Sequence, residues 1–234
     1  MTSILENKSF LMENMMGPNS AVILNELLSK FSLPHQGNIL DLGCGKGLTS
    51  IVLAQQTNAK IFALDLWIDA MENQKRFETF HLENNIFPLQ ADILHSPFEQ
   101  SFFDTIISID SYHYFGNKEN ILDKYIAPLI KKSGIIALAF PGLKKDIHDN
   151  IPPVLLNYWT KEDFECFHDI NWWKKLFSAS KQTELCSVQE MSCFDNAWND
   201  WLASDNPYAK EDKEAMEHGG KEIMNLICAI LKKK

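Results

Sequence analysis

An α/β fold built on a doubly wound, mostly parallel sheet is what this 234-residue chain predicts, and three observations predict it. Short apolar runs alternate with amphipathic or charged stretches from residue 38 to residue 140. Those runs are continuous rather than alternating, as strands are when both sheet faces are covered. The first run ends in a glycine cluster, Gly43, Gly45 and Gly47, placed where a strand turns into a helix.

The elements follow in order. Residues 19–31 predict an amphipathic helix with Val22, Ile23, Leu27, Leu28 and Phe31 on one side, entered through the turn Met15-Met16-Gly17-Pro18. Residues 38–42 (NILDL) predict the first strand and 46–56 a helix. Residues 60–66 (KIFALDL) predict a second buried strand, and 68–84 a helix by charge and periodicity. Residues 86–91 (IFPLQA) predict a strand whose Pro88 cannot donate to a ladder, hence an edge or irregular position. Residues 102–110 predict a strand, 118–131 a helix, and 134–140 a strand closed by Pro141-Gly142. Further on, 160–180 reads as helical, 184–193 as a strand and 195–204 as a short helix. The segment 221–231 suits helix or strand, and Gly219-Gly220 before it favours a strand after a turn. No linker-like stretch divides the chain, so a single domain 1–234 is expected. Its core is 20–141 plus 184–231, and a small helical, aromatic cap comes from 1–19 and 143–183.

Composition narrows the function. The formal net charge is −9 and the sequence pI about 5.2, a surface that repels a phosphate backbone, so no nucleic-acid partner is expected. The five cysteines are odd in number with no C-x-x-C pair, which predicts reduced thiols, neither a disulfide frame nor a zinc site, and no requirement for metal. Met1 to Asn19 lacks a basic cluster followed by an apolar region, and no run has the length of a membrane span. A cytoplasmic protein without membrane insertion is therefore expected. Nothing in the sequence fixes an oligomeric state.

The glycine cluster carries the ligand argument. In Asp41-Leu42-Gly43-Cys44-Gly45-Lys46-Gly47 the glycines let the backbone turn tightly and approach a ligand. A dinucleotide loop of G-x-G-x-x-G type is the rival, but Leu48 stands where its third glycine would be. Asp41, at the strand end, would also repel a pyrophosphate and attract an ammonium or sulfonium.

Asp41-Leu42-Gly43-Cys44-Gly45 resembles motif I of the class I S-adenosylmethionine-dependent methyltransferases, which are Rossmann-like. Asp65 stands where that family grips ribose hydroxyls, and Asp92 where an acid meets the adenine amino group. Phe103-Asp104 resembles the family's F-D pair, and Leu129 to Gly134 its turn before the fifth strand, with Ser133 for one glycine. Gly17-Pro18-Asn19-Ser20 resembles a G-P-G-S stretch of the ubiquinone-type and cyclopropane-synthase-like branch, in which an N-terminal helix folds over the cofactor; Asn19 replaces the second glycine. The resemblance implies S-adenosyl-L-methionine as cofactor, held by Gly17, Asp41, Gly43, Gly45, Asp65 and Asp92. Leu66 and Ile93 beside those acids sandwich adenine or belong to the core. Ile109 and Asp110 mark the strand end where backbone carbonyls would meet the methionine ammonium.

Methyl transfer is then expected to a small-molecule acceptor. Asp110-Ser111-Tyr112-His113-Tyr114-Phe115 departs from the Asn-Pro-Pro-Tyr motif of amide and nucleic-acid N-methyltransferases. His113 is the candidate base, since imidazole titrates near neutral pH, with packing against 118–131 as the alternative. Tyr114, like Tyr112, lines the acceptor pocket or the core. Residues 143–210 hold Trp159, Trp172, Trp173, Trp198 and Trp201, which predict either a cation-binding wall of the cap or plain packing. Two other functions suit the same sequence, an S-adenosylmethionine-binding protein without turnover and a nucleotide-dependent oxidoreductase.

Overall fold

The computed structural model describes residues 3–234. Its centre is a seven-stranded sheet of β1 (Asn38–Leu42), β2 (Lys60–Asp65), β3 (Ile86–Gln90), β4 (Phe103–Ile109), β5 (Ile130–Leu143), β6 (Thr183–Glu190) and β7 (Met224–Lys233). The spatial order is β3-β2-β1-β4-β5-β7-β6. Strands β1 to β5 run parallel, and β7 lies antiparallel between β5 and β6. Helices α1 (Lys8–Asn14), α2 (Ser20–Leu28), α3 (Leu48–Gln56) and α4 (Ala70–Thr79) precede or link the first strands. The short α5 (His113–Gly116) follows β4. Helices α6 (Lys161–Phe164), α7 (Ile170–Ser178), α8 (Phe194–Leu202) and α9 (Pro207–Ala215) complete the C-terminal half.

The mostly parallel, doubly wound sheet expected from the sequence is what forms. Successive residues of each strand feed opposite faces. Ile39, Ile107, Ala137, Ala139 and Cys228 pack on one side with α2 and α3. Leu40, Ile106, Ile136, Leu138, Phe140 and Ile227 pack on the other with Tyr112, Trp173 and Phe177. Both faces are covered, which is why the strands read as unbroken apolar runs. Pro88 lies on β3, paired only with β2 at the sheet edge.

Three expectations are corrected. The helix at 118–131 is a π-type turn, Leu122–Ile126, and a 3₁₀ turn, Ala127–Leu129, because Pro128 removes a donor and restricts the residue before it. Strand β5 then starts at Ile130, and its register against β4 shifts between Phe103 and Thr105. The helical stretch 160–180 divides into α6 and α7, each with its own cap: Thr160 and Asp163 form a capping box, and Asp169 accepts from Trp172 N–H. The sequence reading also missed α1 and α9, although Asn206 caps α9 and Pro207 occupies its first turn. For 221–231 the strand alternative holds, after a turn at Gly219 with φ 112°.

The strand order reverses between β1 and β4, and in such sheets ligands bind beyond the strand C-termini at the reversal. The N-terminal segment crosses this point; residues 1 and 2 of the expected 1–19 cap lie outside the described residues. No helix among the described residues is long and apolar enough to cross a membrane.

Candidate functional site

The loop between β1 and α3 is set by backbone bonds to the neighbouring strand: Gly43 and Cys44 N–H donate to Leu64 O at 2.8 and 3.1 Å. Gly43 has φ 73°, and a Cβ there would overlap Ser111 Oγ from the loop after β4. Only glycine allows both the left-handed turn and that approach. Beneath the loop, Asp41 is fully buried. Its Oδ2 accepts from Thr49 Oγ1 at 2.6 Å and Ser50 Oγ at 2.5 Å, fixing the first turn of α3. Burial pushes its carboxyl up to about 6 against the pull of those hydroxyls. The expectation that Asp41 faces a ligand is thereby corrected: its carboxyl lies under the loop, bonded to the first turn of α3.

Above the loop, a cavity of about 120 Å³ is lined by Asn14, Met16, Gly17, Pro18, Gly43, Gly45, Lys46, Asp65, Trp67, Ile109, Asp110 and Tyr114, among others. It gathers Gly17, Gly43, Gly45, Asp65, Ile109, Asp110 and Tyr114 of the sequence-predicted set. Asp65 ends β2 with one carboxylate oxygen accepting from Gly45 N–H at 2.8 Å. The other accepts from Trp67 and Ile68 N–H at 2.9 and 3.0 Å. Asp65 thus holds the two loops at the strand ends together.

Asp110 differs. It is a non-glycine residue at φ 54°, a strained backbone of the kind found at functional sites, and no side-chain hydrogen bond to it is found among the described residues. Gly17 passes so close that a Cβ there would overlap Asp110 Oδ2. Desolvation drives the Asp110 carboxyl up to about 8, and the charge of Asp212 adds to the shift.

Besides Asp41, four of the predicted residues lie elsewhere. Asp92 caps the 3₁₀ turn at Ile93–His95 through Leu94 N–H at 2.8 Å and meets His95 Nδ1 at 3.1 Å. Ile93 is buried in the core. Leu66 is exposed at 51%, and none of the three lines the cavity. His113 is fully enclosed, with both ring nitrogens unpartnered, stacked 5.6 Å from Phe167 and 4.0 Å from Tyr114. Burial lowers its pKa to about 3, so the expectation of a base titrating near neutral pH is corrected. Tyr112 is equally buried, against Phe115 and Trp173.

Of the two readings of the five tryptophans, the cation-binding wall is corrected and plain packing holds, since none of them lines this cavity. Trp159 and Trp201 donate their indole N–H to the two oxygens of Asp212 at 2.9 and 2.8 Å. Trp173 packs 4.5 Å from Phe140, and Trp198 is buried beside Phe194. Trp172 stacks on His168 at 3.6 Å and faces a separate groove with Lys118 and Leu176. The indoles are consumed in closing the C-terminal half onto the sheet, and the cover over the cavity comes from Met16, Gly17 and Pro18.

Two features escaped the sequence reading. Trp67, exposed at 69%, stands at the cavity with its ring 6.4 Å from that of Tyr114; its position two residues after Asp65 was the available signal. Arg76 on α4 donates to Asn14 Oδ1 at 3.0 Å and to Asn73 Oδ1 at 2.9 Å. Asn73 in turn donates to Gly45 O at 2.8 Å. This chain ties α1 to the glycine loop, and Asn19 completes the anchorage by capping α2 and donating to Asp200 at 2.7 Å.

A family model described as a methyltransferase domain matches residues 34–214. The tRNA1(Val) (adenine(37)-N6)-methyltransferase of Haemophilus influenzae is 38% identical over 100 residues, 39% of this chain and 43% of that protein. The chain spans about half the length of the curated relatives it matches. Phosphoethanolamine N-methyltransferase 2 of Haemonchus contortus, solved with S-adenosyl-L-methionine, superposes with a TM-score of 0.74 at 15% identity, covering 99% of this chain and 57% of its own. Coclaurine N-methyltransferase, solved with N-methylheliamine and SAH, gives 0.71 at 17% identity over 92% of this chain and 71% of its own. At such identities the likeness is one of fold.

Proposed function

The chain belongs to the methyltransferase-domain family, and from that premise we propose that it binds S-adenosylmethionine in the cavity at β1 and β4 and methylates a small molecule. When bound, this cofactor supplies a methyl group on a sulfonium, already activated toward a nucleophile.

The observation that carries the reading is the charge of the lining. Two acids, Asp65 and Asp110, face the cavity, with burial opposing the ionisation of Asp110, and the cationic side chain of the lining, Lys46, points its Nζ to Glu13 O at 3.3 Å. A phosphate-free cation suits these walls, and a pyrophosphate does not. The residues therefore fit S-adenosylmethionine better than a dinucleotide, which weighs against the oxidoreductase alternative. Gly43 and Gly45 leave the backbone open to close approach. Asp65 keeps acceptor capacity for a ribose hydroxyl beyond its three backbone bonds. Asp92, with Leu66 and Ile93, is assigned to the adenine end, and the carbonyls of Ile109 and Asp110 to the amino-acid end. A small-molecule site usually measures roughly 300–1,000 Å³, so entry of the cofactor requires Met16–Pro18 to move off the cavity.

Transfer in line asks mainly for positioning. Tyr114, on the cavity wall, is assigned to the acceptor side, while His113 supports it from behind. Acidity favours a small-molecule acceptor over a tRNA, the substrate in the name of the Haemophilus relative, since a net charge of −9 opposes a polyanion. Asp110-Ser111-Tyr112-His113 in place of Asn-Pro-Pro-Tyr points the same way.

Calorimetry on the purified protein tests the cofactor assignment. S-adenosylhomocysteine is expected to bind and NAD to leave no heat. Asp65→Ala should weaken binding by about 10- to 100-fold, the worth of one charge-assisted hydrogen bond, and Asp92→Ala by less. Tighter binding of NAD, or an equal loss at Asp92, overturns the assignment. Turnover with a methyl-labelled cofactor then separates an enzyme from a binding protein.

A further inference from the structure

We propose that the acceptor is a cationic amine, seated between the Asp110 carboxylate and the exposed rings of Tyr114 and Trp67, which rests on reading the cavity as a methyltransferase site. Two kinds of observation meet here. The first is electrostatic. Of the two carboxylates in the lining, Asp65 is already engaged by three backbone N–H groups. Asp110 has no hydrogen-bond donor among the described residues, and Asp212 places a second negative charge near it. A buried carboxylate among like charges is costly to keep ionised. An entering ammonium supplies the missing countercharge and donors, and it would pass one proton to the Asp110 carboxylate before its nitrogen lone pair could accept a methyl group.

The second observation is apolar. Tyr114 and Trp67 are 52% and 69% exposed, large rings left open at the same cavity and in edge contact with each other. Ring faces attract cations, and they leave the body of an organic amine an apolar surface to lie on. A carboxylate acceptor would face Asp110 and be repelled. A neutral alcohol would gain the rings but leave the carboxylate's charge uncompensated.

The cofactor's own ammonium is the competing partner for Asp110, and the test separates the two. The purified protein is first saturated with S-adenosylhomocysteine, then titrated calorimetrically with benzylamine, benzyl alcohol and benzoate, three isosteres differing in charge. Benzylamine is expected to bind saturably, and at least about tenfold tighter than the other two. Asp110→Asn, titrated at an S-adenosylhomocysteine concentration that saturates the variant, should remove most of that preference. Because asparagine has the same shape and no charge to desolvate, the variant should fold at least as well as the parent. Tyr114→Phe keeps the ring and should retain benzylamine binding, whereas Tyr114→Ala should lose about threefold or more. Equal binding of the alcohol overturns the proposal. So does loss of S-adenosylhomocysteine together with benzylamine in Asp110→Asn, since Asp110 would then hold the cofactor. Absence of S-adenosylhomocysteine binding in the first titration overturns the methyltransferase reading itself, a different failure from a cofactor complex that ignores amines.

Discussion

Gly43→Ala is expected to lower cofactor affinity by at least about 100-fold, some 2.7 kcal/mol, while leaving the protein folded. Two costs meet at this position. An L-residue at φ 73° strains the backbone by about 1–2 kcal/mol, and the new Cβ overlaps Ser111 Oγ. The loop has to retreat from Ser111, which pulls Gly45 N–H from Asp65 and opens the junction of the two strand ends. Strand β1 keeps both its partners, β2 and β4, so the melting temperature should fall only by about 2–4 °C per kcal/mol of strain. Adding Ser111→Gly removes the overlap and not the dihedral strain, so the double variant should recover part of the affinity. Undiminished binding in Gly43→Ala would show that the loop is not the cofactor seat.

The second large effect concerns acid stability. His113→Phe should flatten the loss of stability between about pH 6 and pH 3. In the native protein burial holds the His113 pKa near 3, whereas an unfolded histidine titrates near 6.5. Through that window the unfolded chain takes up a proton that the folded chain refuses. Stability contributed by neutral His113 is therefore present above pH 6.5 and declines as pH falls toward 3. The slope is about 1.4 kcal/mol per pH unit, for a total of roughly 4–5 kcal/mol if the whole window is traversed. Phenylalanine suits a site already walled by Phe140 and Phe167 and has no nitrogens to leave unpartnered. Chemical denaturation of both proteins across this range measures the difference. Parallel curves would mean that His113 is hydrated or protonated in the native state.

The sheet was legible in the sequence because burial on two faces writes itself as continuous apolar runs, and the glycine cluster marks the first strand end. That Asp65, Asp110 and Gly17 would come together at one cavity was legible by their places at strand ends and before α2. What escaped had physical reasons. Asp41 looks like a ligand residue in sequence, yet Thr49 and Ser50, in the first turn of α3, draw its carboxylate under the loop. His113 sits one residue from Tyr114, and on so short a helix only the tertiary fold decides which of the two faces the cavity. The tryptophans follow helical spacing, and periodicity does not distinguish a wall facing a ligand from one facing the sheet. Pro128 was a visible signal against the helix at 118–131, overridden by the charged and apolar pattern around it. The relay from Asn14 through Arg76 and Asn73 to Gly45 joins residues far apart in sequence, and nothing local announces it.

The most direct test is a crystal structure of the protein with S-adenosylhomocysteine. Density is expected across the Gly43–Gly45 loop, with the ribose at Asp65, the amino-acid end at Ile109 and Asp110, and Met16–Pro18 displaced from their present position over the cavity. A ligand seated elsewhere, or crystals grown at saturating S-adenosylhomocysteine with Gly17 still closed on Asp110 and no density at the loop, would contradict the assignment.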